Sequence, residues 1–357
     1  MKGLNSIDLK SWRGLDRERV LDLAIRWLLV LIVILILSFA GYYGLSRYQL
    51  FRQLPVNKVV AKVEQRVRKY PRDVEARVDL GRAYLAQGWY DKAIDQFNQA
   101  LKLDKEHQGA LVFKGFTYMK RGNNNLALKQ FDEEIKLYKN AGYALENRWL
   151  EQAYFNGGVI LWKQKKYDKA LEYLKKAAEI RKTDADIHLV IGRVYLDRGA
   201  YDQAVKGFEE ALKFDPQYAD AYYGVGLAYE KNKEKGKAAA AYKQAYKIKP
   251  DFLKAKKDFD RVFRDIQREL KEKPGEPSAH FELAMANLGM GNLDEAIAGF
   301  KEAIKRKADF VLAHYNLGLA YEEKNKIEEA KNEYRAVLKL DSNFTQAQEA
   351  LKRLGAL

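Results

Sequence analysis

Histidine is the side chain best suited to bind a metal or move a proton near neutral pH, and the chain has four in 357 residues. His280 and His314 lie 34 residues apart, and with His188 they share one place in the register set out below. Two imidazoles on neighbouring helices could share a metal. No third imidazole or carboxylate recurs at matching positions, so packing accounts for them better and no metal ligand is assigned. Other chemistries are excluded more directly. There is no cysteine, which removes disulfides, thiolate zinc sites, iron–sulfur clusters and thiol nucleophiles. No phosphate-binding glycine loop or nucleophile elbow occurs, and Gly224-Val225-Gly226 falls inside a repeat helix, where it reads as packing. The sequence offers no catalytic residue and no cofactor. Binding is the function class that remains.

The elements that would carry a binding surface repeat every 34 residues. With Gly81, Gly115, Gly158, Gly192, Gly226 and Gly318 set at position 8, position 20 holds Ala93, Ala127, Ala170, Ala204, Ala238, Ala296 and Ala330. Position 24 is then Phe97, Phe131, Leu174, Phe208, Tyr242, Phe300 and Tyr334. Small residues at 8 and 20 let two helices approach, and large ones at 11 and 24 fill the space left. Position 27 is alanine in five repeats, with Glu134 and Val337 departing. Gly88, Gly122, Gly199 and Gly291 at position 15 suit a left-handed turn between the helices. Pro216 and Pro250 end the second helix of their repeats.

On these residues the sequence resembles the tetratricopeptide repeat family, in its membrane-anchored bacterial form. The register predicts seven repeats, at 74–107, 108–141, 151–184, 185–218, 219–252, 277–310 and 311–344. Insertions at 142–150 and 253–276 interrupt it. The second copies the start of the repeats: 260–277 lines up with 57–74, placing Pro274 over Pro71. The expectation is an array of five repeats (74–252), a connecting helix (253–276), two further repeats (277–344) and a capping helix (345–357).

The resemblance assigns positions 2, 5, 9 and 12 to a concave face. There it implies a partner-binding groove formed by Val112, Phe116, Phe155, Val159, Trp162, Leu189, Arg193, Tyr223 and Leu227. Apolar residues at position 9 make the groove a place for an apolar helix or extended peptide. The alternatives are that the insertion helices cover these side chains or that they only pack between repeats. Some family members clamp a peptide's terminal carboxylate with Lys and Asn at these positions; that pattern is missing here. The lysine clusters at 163–166 and 231–235 read as solvated loop tips.

The chain carries 64 Lys and Arg against 49 Asp and Glu, a formal net charge of +15. The excess is densest at 46–73, net +6, beside the uncharged run Trp27–Ser46 rather than on the repeats, which argues against a nucleic-acid partner. As a helix the run would be ~30 Å long, a bilayer's hydrocarbon thickness. The expectation is therefore a cytoplasmic tail (1–26), a transmembrane helix (27–46) and a basic juxtamembrane helix (47–73). In that reading Arg47, Arg52, Lys58 and Lys62 meet the membrane surface. Cleavage of a signal peptide after Ala40 is the alternative. The fold class expected is all-α: an N-terminal transmembrane helix, then an α-solenoid of seven hairpins with a C-terminal capping helix. The function expected is a single-pass cell-membrane scaffold, its large domain outside the cytoplasm, that binds a protein or peptide partner during assembly of an envelope complex. A permanent structural subunit of a membrane complex, or an exported soluble binder, would be the other uses of such a fold.

Overall fold

The computed structural model describes residues 55–356 except 143, 145 and 146. Among the described residues it contains seventeen α-helices and no strand. Packing divides the chain into two compact units, one ending at Leu103 and one beginning at Asp104.

The first unit contains α1 (Pro55–Lys69), α2 (Val74–Ala86) and α3 (Tyr90–Leu103). Asp73 caps α2 by accepting from the Ala76 N–H, and pairs with Arg66 at 2.9 Å. The Tyr84 hydroxyl donates to Glu64 of α1 at 2.8 Å; burial and that carboxylate push its pKa up to about 12.

The second unit contains six antiparallel helix pairs and two single helices. The pairs are α4 (Gln108–Lys120) with α5 (Asn124–Tyr138), α6 (Arg148–Lys163) with α7 (Tyr167–Ile180), and α8 (Ala185–Arg198) with α9 (Tyr201–Phe214). α10 (Ala219–Lys231) pairs with α11 (Lys235–Ile248), and α12 (Leu253–Glu272) follows alone. Then come α13 (Pro277–Met290) with α14 (Leu293–Arg306), α15 (Val311–Glu323) with α16 (Ile327–Leu340), and the single α17 (Thr345–Arg353). The pairs α4–α5 through α10–α11 stack each on the next, the arrangement of an α-solenoid.

The close approach inside each pair has a direct cause. A Cβ built on Gly115 would lie 2.5 Å from the Phe131 ring, and one on Gly192 would lie 2.6 Å from Phe208. Gly158 against Leu174, Gly226 against Tyr242 and Gly318 against Tyr334 repeat the relation. Position 8 is therefore the socket for the position 24 side chain; in the repeat 277–310 it is filled by Ala284, opposite the buried Phe300, with Gly299 lying against it. The turn follows the same logic. Gly122, Gly199 and Gly291 adopt positive φ, and in the remaining repeats of this unit Lys165 (φ 60), Lys233 (φ 68) and Asn325 (φ 57) take that conformation without being glycine.

The histidines at position 4 have a structural task. Nε2 of His188, His280 and His314 donates to the carbonyls of Lys182, Pro274 and Ala308, at 3.0, 2.9 and 3.1 Å. Each bond ties the first turn of a helix to the loop six residues before it. His314 is also held through Nδ1, 2.7 Å from Glu333.

The two insertions behave differently. After 142–150, α6 starts at Arg148, three residues before the register predicts, because the Asn147 side chain accepts from the Trp149 and Leu150 N–H groups and caps it. The segment 253–276 is packed inside the second unit: α12 lies on α11, burying Ala255, Phe259, Val262 and Ile266. α13 then crosses α11 as well. At that crossing a Cβ on Gly289 would lie 2.2 Å from the Ala240 Cβ, and one on Gly236 would lie 2.3 Å from the Glu282 carbonyl oxygen. α17 buries Ala347, Ala350 and Leu351, with the Phe344 ring 5.1 Å from Tyr315 and Arg353 pairing with Glu322 at 2.7 Å.

One expectation is corrected. No helix among the described residues is long and apolar enough to cross a membrane. Each buries one stripe and presents charge elsewhere; even the 20-residue α12 intersperses its buried face with Lys257, Asp260, Arg264 and Arg268. The run 27–46, with the tail before it, lies outside the described residues. The single-pass localisation is accordingly withdrawn. Arg47 and Arg52 also lie outside the described residues, whereas Lys58 and Lys62 are exposed on α1.

Candidate functional site

The first helices α4, α6, α8 and α10 place the nine groove residues at equivalent heights, but the structure sorts them into two kinds. Val112, Leu189 and Tyr223, all at position 5, are interior, at 0%, 5% and 8% exposure. Phe116, Phe155, Val159, Trp162, Arg193 and Leu227, at positions 5, 9 and 12, are half-buried. Phe155, also at position 5, is the exception to this burial, whereas the position 9 residues Phe116, Val159, Arg193 and Leu227 are all half-buried.

Phe116, Phe155, Val159 and Trp162 all pack on the cluster built around Phe131, Leu150 and Ile160. Phe116 sits edge-on to Phe131 at 5.7 Å between ring centres. The Trp162 indole N–H donates to Asp197 at 2.8 Å. Arg193 pairs with Asp220 at 3.2 Å, so its charge is matched across α8 and α10.

Tyr223 belongs to a different cluster, with Tyr242, Phe259 and Val262. Its hydroxyl donates to Asp258 at 2.8 Å, the Phe252 ring lies tilted against it at 5.0 Å between centres and the Lys254 ammonium lies 5.2 Å from its ring centre. The 252–258 segment thus covers the groove at this end, and burial with the nearby carboxylate raises the Tyr223 pKa. Leu227 falls in the same covered region.

A cavity of about 300 Å³ opens between α4, α6 and the start of α8, with Phe116, Phe155 and Ile187 on its apolar side. Gln152, Asn156, Glu151, Arg181, Asp184 and Asp186 supply the polar side. Glu151 is 3% exposed; burial raises its pKa, partly offset by Arg181 at 3.5 Å. Arg181 also holds Asp184 at 3.0 Å, and Asp184 in turn caps α8 by accepting from the Asp186 N–H. Sequence reasoning named Phe116 and Phe155 but missed this polar wall. Only Gln152 and Asp186, each at position 2 of its repeat, stand where the register would have drawn attention to them. A second, largely apolar cavity of about 430 Å³ lies where α13 crosses α11, bounded by Leu212, Tyr222, Val225, Met285 and Leu288.

A buried carboxylate lies behind the groove. Glu134 is fully enclosed, neither of its oxygens has a hydrogen-bond partner, and burial pushes its pKa up to about 8. Gln130, one turn earlier on α5, also leaves its side-chain oxygen unpartnered.

Comparison with known proteins agrees with this architecture. Models described as tetratricopeptide or TPR repeats match residues 74–107 and 311–344, 108–183, 192–233 and 289–325, and 219–252. No curated protein matches the chain. Among solved structures, MamA is similar at 25% identity, over 51% of this chain and 94% of that one, with a TM-score of 0.45. YrrB, described as a TPR protein with an unusual peptide-binding site, is similar at 23% identity, over 54% and 95%, with a TM-score of 0.45. The C-terminal part of a TPR repeat-containing protein from Cytophaga hutchinsonii matches at 17% identity, over 77% and 99%, with a TM-score of 0.43. With the 34-residue register, the glycine sockets and the repeat models that match along most of its length, the chain belongs to the tetratricopeptide repeat family.

Proposed function

We propose that the half-buried row on α4, α6 and α8 is the surface on which this scaffold receives an apolar helix or peptide of a partner protein, in the assembly of a larger complex. The observation that supports it most is the row Phe116, Phe155, Val159 and Trp162. Four large apolar side chains stay accessible along adjacent first helices, beside a cavity of about 300 Å³. Aromatic side chains presented together in a concave setting are the usual energetic centre of a protein interface. Tyr223 and Leu189 have no part in this surface, since they are interior. Placement of the complex in a cell envelope rested on the membrane span and is not carried forward.

The test is purification of the full-length chain from its native cells, with quantitation of whatever accompanies it. A stoichiometric companion should be lost on Val159→Arg and kept on Leu253→Arg, a control at a residue 73% exposed and away from the row. Retention of the companion by both variants would sink the reading.

A further inference from the structure

The polar wall of the cavity between α4, α6 and α8 narrows the chemistry of the segment that docks there. Among the residues that line the cavity, Glu151, Asp184 and Asp186 stand with one guanidinium, Arg181, while Arg193 nearby is paired with Asp220. Arg181 is committed to Glu151 and Asp184, at 3.5 and 3.0 Å. Asp186 is exposed at the cavity mouth, where it accepts from the Tyr218 hydroxyl and keeps a second oxygen for another donor. Phe116 and Phe155 form the opposite, apolar side. A cavity lined by aromatic rings together with excess carboxylate matches an alkyl stem ending in a cation. This sign is the reverse of the chain's own net charge of +15, so the cavity is not simply a sample of the surface.

The molecule also contains its own example of what an inner face accepts. α11, KGKAAAAYKQAYKI, packs its Gly236 and Ala240 against α13 at Glu282, Met285 and Gly289. Met285 stands at position 9, the place that Phe116 and Val159 occupy on α4 and α6. The Glu282 carboxylate accepts the Gly236 N–H, with Lys235 and Lys237 close by, and Lys235 also pairs with Glu269 at 2.6 Å. A lysine-bearing helix with a small-residue seam is thus docked in cis on an equivalent face.

Resting on the docking surface proposed above, we infer that the cavity is an anchor pocket for a lysine or arginine side chain carried by an otherwise apolar helical segment of the partner. The cation meets Asp186 while its alkyl stem lies along Phe116 and Phe155, and the apolar face of the segment covers Val159 and Trp162.

The experiment uses the full-length chain and two labelled helical peptides of about eighteen residues, roughly 27 Å long. One is made of Leu, Ala and Lys; in the other every Lys is replaced by Glu. Fluorescence anisotropy should show binding of the Lys peptide and weak or no binding of the Glu peptide. Asp186→Lys should weaken the Lys peptide by about tenfold or more, and Asp186→Asn, which keeps an acceptor for Tyr218, by less. Thermal unfolding of each variant reports whether the fold is intact. Equal or tighter binding of the Glu peptide overturns the inference. So does an unaltered Lys-peptide affinity in Asp186→Lys; if Val159→Arg then still abolishes binding, the docking surface survives and the pocket assignment does not. Indifference of both peptides to Val159→Arg, or no binding by either, removes the docking surface as well.

Discussion

The pairs α4–α5 and α8–α9 are built on one plan yet differ at the places that set their energetics. Both seat a phenylalanine on a glycine, Phe131 on Gly115 and Phe208 on Gly192, and both rings are fully buried. Both turn through a glycine with positive φ, Gly122 and Gly199. At position 27, however, α9 buries Ala211 and α5 buries Glu134; one turn earlier α9 has Gly207 and α5 has Gln130. The fold encloses position 27 whichever residue stands there. The socket and ring impose the geometry, and the chemistry of the enclosed group shows only in the free energy.

That contrast predicts the largest effect. The Glu134 pKa rises from 4.5 to about 8 on folding. The folded pair therefore keeps a proton that the unfolded chain releases, and stability falls as pH rises from about 4.5 to about 8, then levels off. The total is on the order of 5 kcal/mol by the usual conversion. Glu134→Ala should remove this slope and raise stability at pH 9, and Ala211→Glu should import the slope into α8–α9. Hydrogen exchange of α5 and α9 amides in the full chain, measured against pH, resolves the two pairs separately. Protection of α5 that rises through this pH window would contradict the account.

Next in size is the socket. Gly192→Ala should cost about 2 kcal/mol, because its Cβ would lie 2.6 Å from the Phe208 ring. The pair Gly158 and Leu174 shows that a smaller ring-free side chain is accepted at position 24. Phe208→Leu should therefore recover part of the loss in the double variant, and a cycle with no coupling would rule out direct contact as the cause.

A smaller effect lies at position 4. His188 ties the loop carbonyl of Lys182 at 3.0 Å, whereas α4 buries Leu111 there without such a bond. His188→Leu should cost about 1 kcal/mol and speed exchange at the start of α8. Equal protection in the variant would mean that apolar packing alone suffices, as it does in α4.

The smallest effect concerns the turns. Lys165 and Lys233 hold positive φ without being glycine. Lys165→Gly should stabilise by about 0.5 kcal/mol, and Gly199→Lys should destabilise by about 1 kcal/mol, as read from denaturant midpoints. A loss of stability in Lys165→Gly would show that the lysine side chain contributes more than its backbone strain costs.

What the sequence determined by itself is the hairpin: its period, the glycine opposite the ring, and the turn at position 15. These contacts join residues within one repeat, so spacing and residue size suffice to read them, and even Lys165 and Asn325 could be placed by register. What only the tertiary structure decided is which inner-face side chains remain accessible. Val112, Leu189 and Tyr223 stand at the same register position as Phe155, yet they are interior and it is not. Exposure depends on what neighbouring elements cover, and for Tyr223 the cover is the 252–258 segment, which belongs to no repeat. The cavity wall of Glu151, Arg181, Asp184 and Asp186 is drawn from two helices and the loop between repeats, a convergence with no linear signature. Glu134 is intermediate. Its register position marks it as enclosed, but whether a buried carboxylate finds a partner depends on every side chain around it, and here it finds none.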